Sequence, residues 1–158
     1  MTGQPVEHVV VEATPDEIWA ILQDPTALAR VLPDAESVVP DGPGRVRAVL
    51  ASKIGFFTVR ADVVARFVDP QPPHHVRLEL DGAARGMSGD LHASIPFDLV
   101  ALPSVSGVAR TDVRYSIALD LTGRLAALGG NMLRGQLPGQ VRALVSNLER
   151  EVASRRAT

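Results

Sequence analysis

The chain has 158 residues, 46% of them apolar, with 16 Lys+Arg against 18 Asp+Glu for a net charge of −2. That is enough apolar mass for one self-sufficient core, and the near-neutral balance excludes the basic field that phosphate neutralisation on nucleic acid requires. The absence of cysteine excludes a disulfide framework, a thiolate metal site and a cysteine nucleophile.

The valine-rich stretch from Gln4 to Ala13 reads as a first strand. It ends at Thr14-Pro15-Asp16-Glu17, where the threonine hydroxyl can cap a helix and a glutamate three residues on can reach back to the cap. The helix that follows carries Ile18, Ile21 and Leu22 on one face with Trp19 beside them. Asp24-Pro25 then starts a second short helix holding Leu28, Val31 and Leu32.

From Ala35 the pattern changes from helical spacing to alternation. Turn residues such as Asp41-Gly42-Pro43-Gly44 and Asp69-Pro70-Gln71-Pro72-Pro73 divide it into strands near 35–40, 45–54, 57–68, 75–82, 87–102 and 108–121, seven with the first. Phe57, Val59, Ala61, Val63, Ala65 and Phe67 share one face. In the last strand Ala109, Thr111, Val113, Tyr115, Ile117, Leu119 and Leu121 do the same, while Arg110, Asp112 and Arg114 face out.

After Leu121-Thr122-Gly123 the helical period returns and runs through Leu125, Leu128, Met132, Leu133 and Leu137 to Val152. Gly129-Gly130, Gly135, Pro138 and Gly139 predict a kink or break between 129 and 139.

These elements make an α+β chain with a seven-stranded curved antiparallel sheet, one long C-terminal helix, and two short helices after the first strand. One helix covers a broad curved sheet poorly. With six aromatic residues in the chain (Phe 4, Trp 1, Tyr 1) and alanine and valine frequent on the inner face, a cavity between sheet and helix is expected, the alternative being a solid core in which leucine and methionine close the gap.

No stretch reaches the roughly 18 apolar residues of a membrane-spanning helix, and the N-terminus carries no secretion signal, so a cytoplasmic location is expected. His8, His74, His75 and His92 lack metal-ligand spacing, and no metal is expected. No serine sits in a nucleophile elbow, and no glycine run forms a phosphate loop. Asp90, His92, Arg110, Asp112 and Arg114 read as a solvated outer ladder rather than an acid–base set.

The opening Val9-Val10-Val11-Glu12-Ala13-Thr14-Pro15-Asp16-Glu17-Ile18-Trp19 resembles that of the polyketide-cyclase, START and Bet-v-1-like (SRPBCC) superfamily. More specific is the order Asp24-Pro25, Leu32-Pro33-Asp34-Ala35, Lys53-Ile54-Gly55-Phe56, Gly86-Met87-Ser88-Gly89 and Leu121-Thr122-Gly123-Arg124-Leu125, which resembles the CoxG family of carbon monoxide dehydrogenase subunits. The family's usual Leu-Pro-Gly turn is Leu32-Pro33-Asp34 in this chain.

The resemblance implies a helix-grip fold in a single domain (1–158, core 6–153). It also implies a deep apolar cavity and an accessory role to a molybdenum hydroxylase such as carbon monoxide dehydrogenase, through quinone binding or peripheral membrane contact. The reading is a non-catalytic carrier with no cofactor of its own and a quinone or other lipophile as cargo.

The expected lining is Leu22, Leu32, Ile54, Phe57, Val59, Leu91, Ile95, Phe97, Ile117, Leu128, Met132 and Leu133, with Tyr115 anchoring the ligand's polar end. The stretch 129–139 is expected to gate it. The alternatives are a cyclase or aromatase using Tyr115 and an inward group of the strand 87–102, and a protein-interaction module for the hydroxylase.

Overall fold

The computed structural model describes residues 6–157, apart from the side chains at positions 54, 128 and 129. Strand β1 (Glu7–Val11) leads into helices α1 (Pro15–Leu22) and α2 (Pro25–Val31). Both helices start where sequence chemistry stops the strand. The Thr14 hydroxyl accepts from the Glu17 amide at 3.1 Å and the Glu17 carboxylate accepts from the Thr14 amide at 2.9 Å, a reciprocal cap. Asp24 caps α2 by accepting from the amides of Thr26 and Ala27.

The meander follows as β2 (Ala35–Pro40), β3 (Arg45–Ile54), β4 (Phe57–Gln71), β5 (His75–Ala84), β6 (Asp90–Val105), β7 (Val108–Tyr115) and β8 (Ala118–Leu121). The sheet order is β1-β7-β6-β5-β4-β3-β2, with β8 also paired to β6 and every pairing antiparallel. The expected strand 108–121 is thus two, which makes eight strands rather than seven. Ser116 and Ile117 leave the ladder, yet β7 and β8 lie beside β6 in one unbroken register, so the inward parity of Leu119 and Leu121 survives the gap.

Helix α3 runs unbroken from Gly123 to Arg156 with Pro138 inside it. Of the kink or break expected between 129 and 139, the break does not occur. Proline forfeits the bond that its nitrogen would have donated to the carbonyl four residues back, and its ring crowds that carbonyl, yet the helix continues past it.

The start of α3 is fixed by the β5–β6 turn. Ser88 accepts from the amides of Arg124 (Oγ, 3.3 Å) and Leu125 (backbone oxygen, 3.1 Å), and the Thr122 hydroxyl accepts from the Asp90 amide at 2.9 Å. Gly89 (φ 141°) makes this approach possible. A Cβ there would fall 2.6 Å from both the Thr122 carbonyl oxygen and the Leu125 Cβ, so the β6 strand begins only after this glycine, at Asp90 and not at Met87.

The densest packing lies where α1, α2 and the C-terminal half of α3 meet β1, β6 and β7. Val11, Ile21 and Val152 are almost fully buried there with Leu99, Val113 and Leu148. The outer face carries paired charges: Arg85 on Asp62, Arg60 on Glu36, His92 on Asp81. Asp112 departs from the expected solvated ladder. It lies in register between Val10 and Val100, only 8% exposed, with Arg114 at 3.0 Å and His8 at 3.3 Å.

Candidate ligand cavity

Between the first two-thirds of α3 and the sheet, the packing opens into a cavity of about 310 Å³. Its sheet wall comes from alternate residues: Leu50 and Ser52 of β3, Val59 and Ala61 of β4, Leu80 of β5, Leu91 of β6, and Leu119 with Leu121 of β8. The helix wall is Leu125, Leu133, Leu137, Val141 and Leu144, a stripe that turns toward the sheet every three or four residues. Leu32, Pro33 and Asp34, which link α2 to β2, close one side.

The polar side chains on this wall are Asp34, Ser52, Gln136 and Gln140, and they gather on one rim. Asp34 Oδ2 accepts from the Gln140 amide at 2.5 Å and from the Ser52 hydroxyl at 3.4 Å. The Asp34 backbone oxygen accepts from the Ala51 amide at 2.9 Å, which ties the α2–β2 link to β3. Gln136 Nε2 donates to the Lys53 carbonyl at 2.8 Å. Two side chains of α3 are thereby hydrogen-bonded across the rim. Asp34 does not need the freedom of the glycine it replaces: the non-glycine residues with positive φ, among those described, are Asp69 and Ser106.

Of the residues expected to line a cavity, the structure brings together Leu32, Val59, Leu91 and Leu133. The side chains of Ile54 and Leu128 lie outside the described residues. Phe57 is 73% exposed at the end of the β3–β4 hairpin, beyond the last β4 residue paired with β5. Met132 is 44% exposed, since its side chain points about 100° around the helix from that of Leu133.

Leu22, Phe97 and Tyr115 belong to the packed core, where the two rings lie 6.3 Å apart. The expected anchor, Tyr115, donates to Glu7 at 3.5 Å and is off the cavity wall; burial and the Glu7 charge push its hydroxyl pKa up. Ile95 and Ile117 are half-buried and also off the wall, Ile117 in the gap between β7 and β8.

Leu119, Leu121, Leu125 and Leu137 were legible by parity or period. Asp34, Gln136 and Gln140 gave no periodic signal. The substitution of aspartate in a Leu-Pro-Gly turn was the one mark against Asp34.

A second depression, of about 340 Å³, lies over β2–β4 and is lined by Val39, Val49 and Val64 with Arg47 and Asp62 on it. It is a surface trough, outside the sheet–helix interior. Among the described residues no three His, Asp or Glu gather as a metal site would require, and no helix is long and apolar enough to cross a membrane.

Comparison with solved structures recovers the same architecture. A conserved protein from Geobacillus kaustophilus superposes with a TM-score of 0.79 at 23% identity, covering 94% of each chain. The Zhui aromatase/cyclase from Streptomyces gives 0.62 at 16% identity over 97% of this chain and 94% of that one. A START superfamily protein from Mycobacterium smegmatis gives 0.61 at 15% identity, over 96% and 99%.

A search of the curated proteins finds no match. The family model for the carbon monoxide dehydrogenase subunit CoxG matches residues 8–153, nearly the whole described fold. That match places the chain in the CoxG family, and the solved structures show that it has a START-like helix-grip fold.

Proposed function

We propose that this protein is a non-catalytic carrier that holds a hydrophobic small molecule, quinone- or lipid-like, between sheet and α3, as an accessory to a molybdenum hydroxylase such as carbon monoxide dehydrogenase. The observation that carries the reading is the cavity. Its volume of about 310 Å³ falls in the range of small-molecule sites, and its wall is leucine, valine and alanine with polar groups on one rim only. None of the four histidines, nor Tyr115, lies on it. The family description names a subunit of carbon monoxide dehydrogenase, which supports the accessory role.

A lipid surface is the source of cargo that the open end favours. Phe56 and Phe57, at the β3–β4 turn next to Ser52 and Lys53, are 106% and 73% exposed. Helix α3 is tied to this turn by the Gln136 bond to the Lys53 carbonyl and is free of acidic side chains over most of its length. No Asp or Glu occurs from Gly123 to Leu148, and Arg124, Arg134 and Arg142 in that stretch have no carboxylate partner among the described residues, nor has Lys53. Two exposed aromatic rings near Lys53 on a face fed by a basic helix suit insertion at an anionic bilayer surface. Flotation with phosphatidylglycerol vesicles should carry the protein up, and the Phe56→Ser/Phe57→Ser double variant should stay below. Equal behaviour of the two would remove the membrane from the proposal.

Native mass spectrometry of the protein purified from its own host tests the carrier role itself. The expected result is a mass excess that organic extraction removes. A protein that arrives empty and takes up no lipophile contradicts it. Turnover of a poly-β-ketone mimic, abolished in Asp34→Asn, would replace the carrier by a cyclase. That outcome has a structural basis in the polar rim and in the fold shared with the Zhui aromatase/cyclase.

A further inference from the structure

We propose that the Asp34 rim selects the cargo's head group, favouring an apolar molecule whose head donates a hydrogen bond (a phenol, hydroquinone or alcohol) over one that only accepts or that carries a carboxylate. The proposal rests on the carrier reading above and adds to it the chemistry of the head.

The rim's hydrogen bonds set this preference. Ser52 and Gln140 both direct a donor at Asp34 Oδ2, and Gln136 directs one at the Lys53 carbonyl. Because each glutamine faces an oxygen that can only accept, the atom turned to it must be Nε2, which fixes the amide orientation and leaves each Oε1 as a further acceptor. Asp34 Oδ1 takes no hydrogen bond among the described residues and is not sealed from solvent. The rim therefore offers oxygen lone pairs in excess while most of its donors are engaged.

A hydroxyl that reaches Oδ1 gains a charge-assisted bond. An ether or ketone oxygen at the same place meets another oxygen. A carboxylate meets the negative charge of Asp34 on a wall that holds no lysine or arginine. Between the two redox states of a quinone, the same chemistry favours the reduced, dihydroxy form, whose heads donate.

Three probes of one shape separate these cases: 2-naphthol, 2-methoxynaphthalene and 2-naphthoate, titrated calorimetrically at pH 7. The expected order is 2-naphthol tightest, by about tenfold over the methyl ether, with 2-naphthoate weakest. Asp34→Asn, whose Nδ2 takes the place of Oδ1 and donates, should erase most of the tenfold advantage and strengthen both 2-naphthoate and the methyl ether. The emission of 2-naphthol provides a readout that packing alone would not move. Its hydroxyl becomes strongly acidic in the excited state, so a touching carboxylate draws the proton away and the anion's longer-wavelength band appears. With the emission of free probe subtracted, the bound probe's anion band should be strong in the wild type and weak in Asp34→Asn.

Equal affinity of the three probes for the unmodified protein overturns the head-group proposal and leaves the carrier reading standing. Failure of all three to bind overturns both. Should Asp34→Asn melt early, Ser52→Ala keeps Asp34 in place and should retain the naphthol preference; its loss there would assign recognition to the serine instead.

Discussion

The two ends of α3 meet the same sheet and produce opposite interiors. Toward the C-terminus, α1 and α2 fill the space under the helix, and Ile21, Val11 and Val152 pack to near-complete burial. Toward the N-terminus α3 covers the sheet alone, and leucines that face each other across it leave a cavity of about 310 Å³. Aliphatic side chains make up most of both interiors. What differs is the number of layers, and a curved sheet with one helix over it stays unfilled unless large side chains bridge the gap. Three of the chain's six aromatic residues (Trp19, Phe97 and Tyr115) sit in the packed end, and Phe56 and Phe57 point out at the turn.

The largest predicted contrast comes from truncating one side chain at each end. Ile21→Ala should cost about 4 kcal/mol in urea denaturation, because a fully enclosed side chain leaves a hole its neighbours cannot collapse into. Leu133→Ala should cost roughly 1 kcal/mol, since that side chain already borders open space and loses few contacts. Similar losses at both positions would mean that the open end is packed after all.

An acid titration should sharpen the same contrast. Arg156 holds the Glu17 carboxyl at about 2, and Arg30, helped by Arg155, holds that of Glu151 at about 2, both against an ordinary 4.5. Both pairs fasten the end of α3 to α1 and α2. As pH falls the unfolded chain takes up these protons first. The stabilisation is complete above about 4.5 and disappears on the way down to about 2. Glu151→Gln should therefore be less stable than the wild type at pH 6 and should lose less on transfer to pH 3. A parallel loss in the two proteins would detach Glu151 from the acid limb.

The smallest effect lies on the outer face, away from both ends. The Asp81 carboxylate at 2.8 Å raises the His92 pKa above its ordinary 6.5. This pair contributes fully below 6.5, and its contribution disappears as pH rises through the folded value. Ring-proton NMR should show His92 titrating above 6.5, with Asp81→Asn returning it downward; an unchanged midpoint would break the assignment.

How far each end could be read from sequence follows from the range of its interactions. The Thr14–Glu17 cap is local, and its two bonds formed as the residue spacing required. Strand parity is local too, and it put Val59, Leu91, Leu119 and Leu121 on the inner face even across the gap at Ser116 and Ile117. Parity does not say where a partner strand ends, so Phe57 was assigned inward although nothing covers it. Nor does it distinguish the two ends of one face, and Tyr115 and Phe97 fell in the packed core instead of the cavity.

The rim was beyond sequence reasoning for a different reason. Asp34 and Gln140 are 106 residues apart, and only the closure of α3 over β3 brings them together. Pro138 costs α3 one backbone hydrogen bond without ending the helix, an outcome that the residue type alone does not decide.

The central claim is an unfilled apolar interior at the open end of α3, and binding of plain naphthalene tests it most directly. A saturable one-to-one isotherm is predicted for the wild type. It should vanish in Ala61→Phe, which fills the space from the sheet side, while the melting temperature holds. Absence of saturable uptake by the wild type, or undiminished uptake by Ala61→Phe, would contradict it.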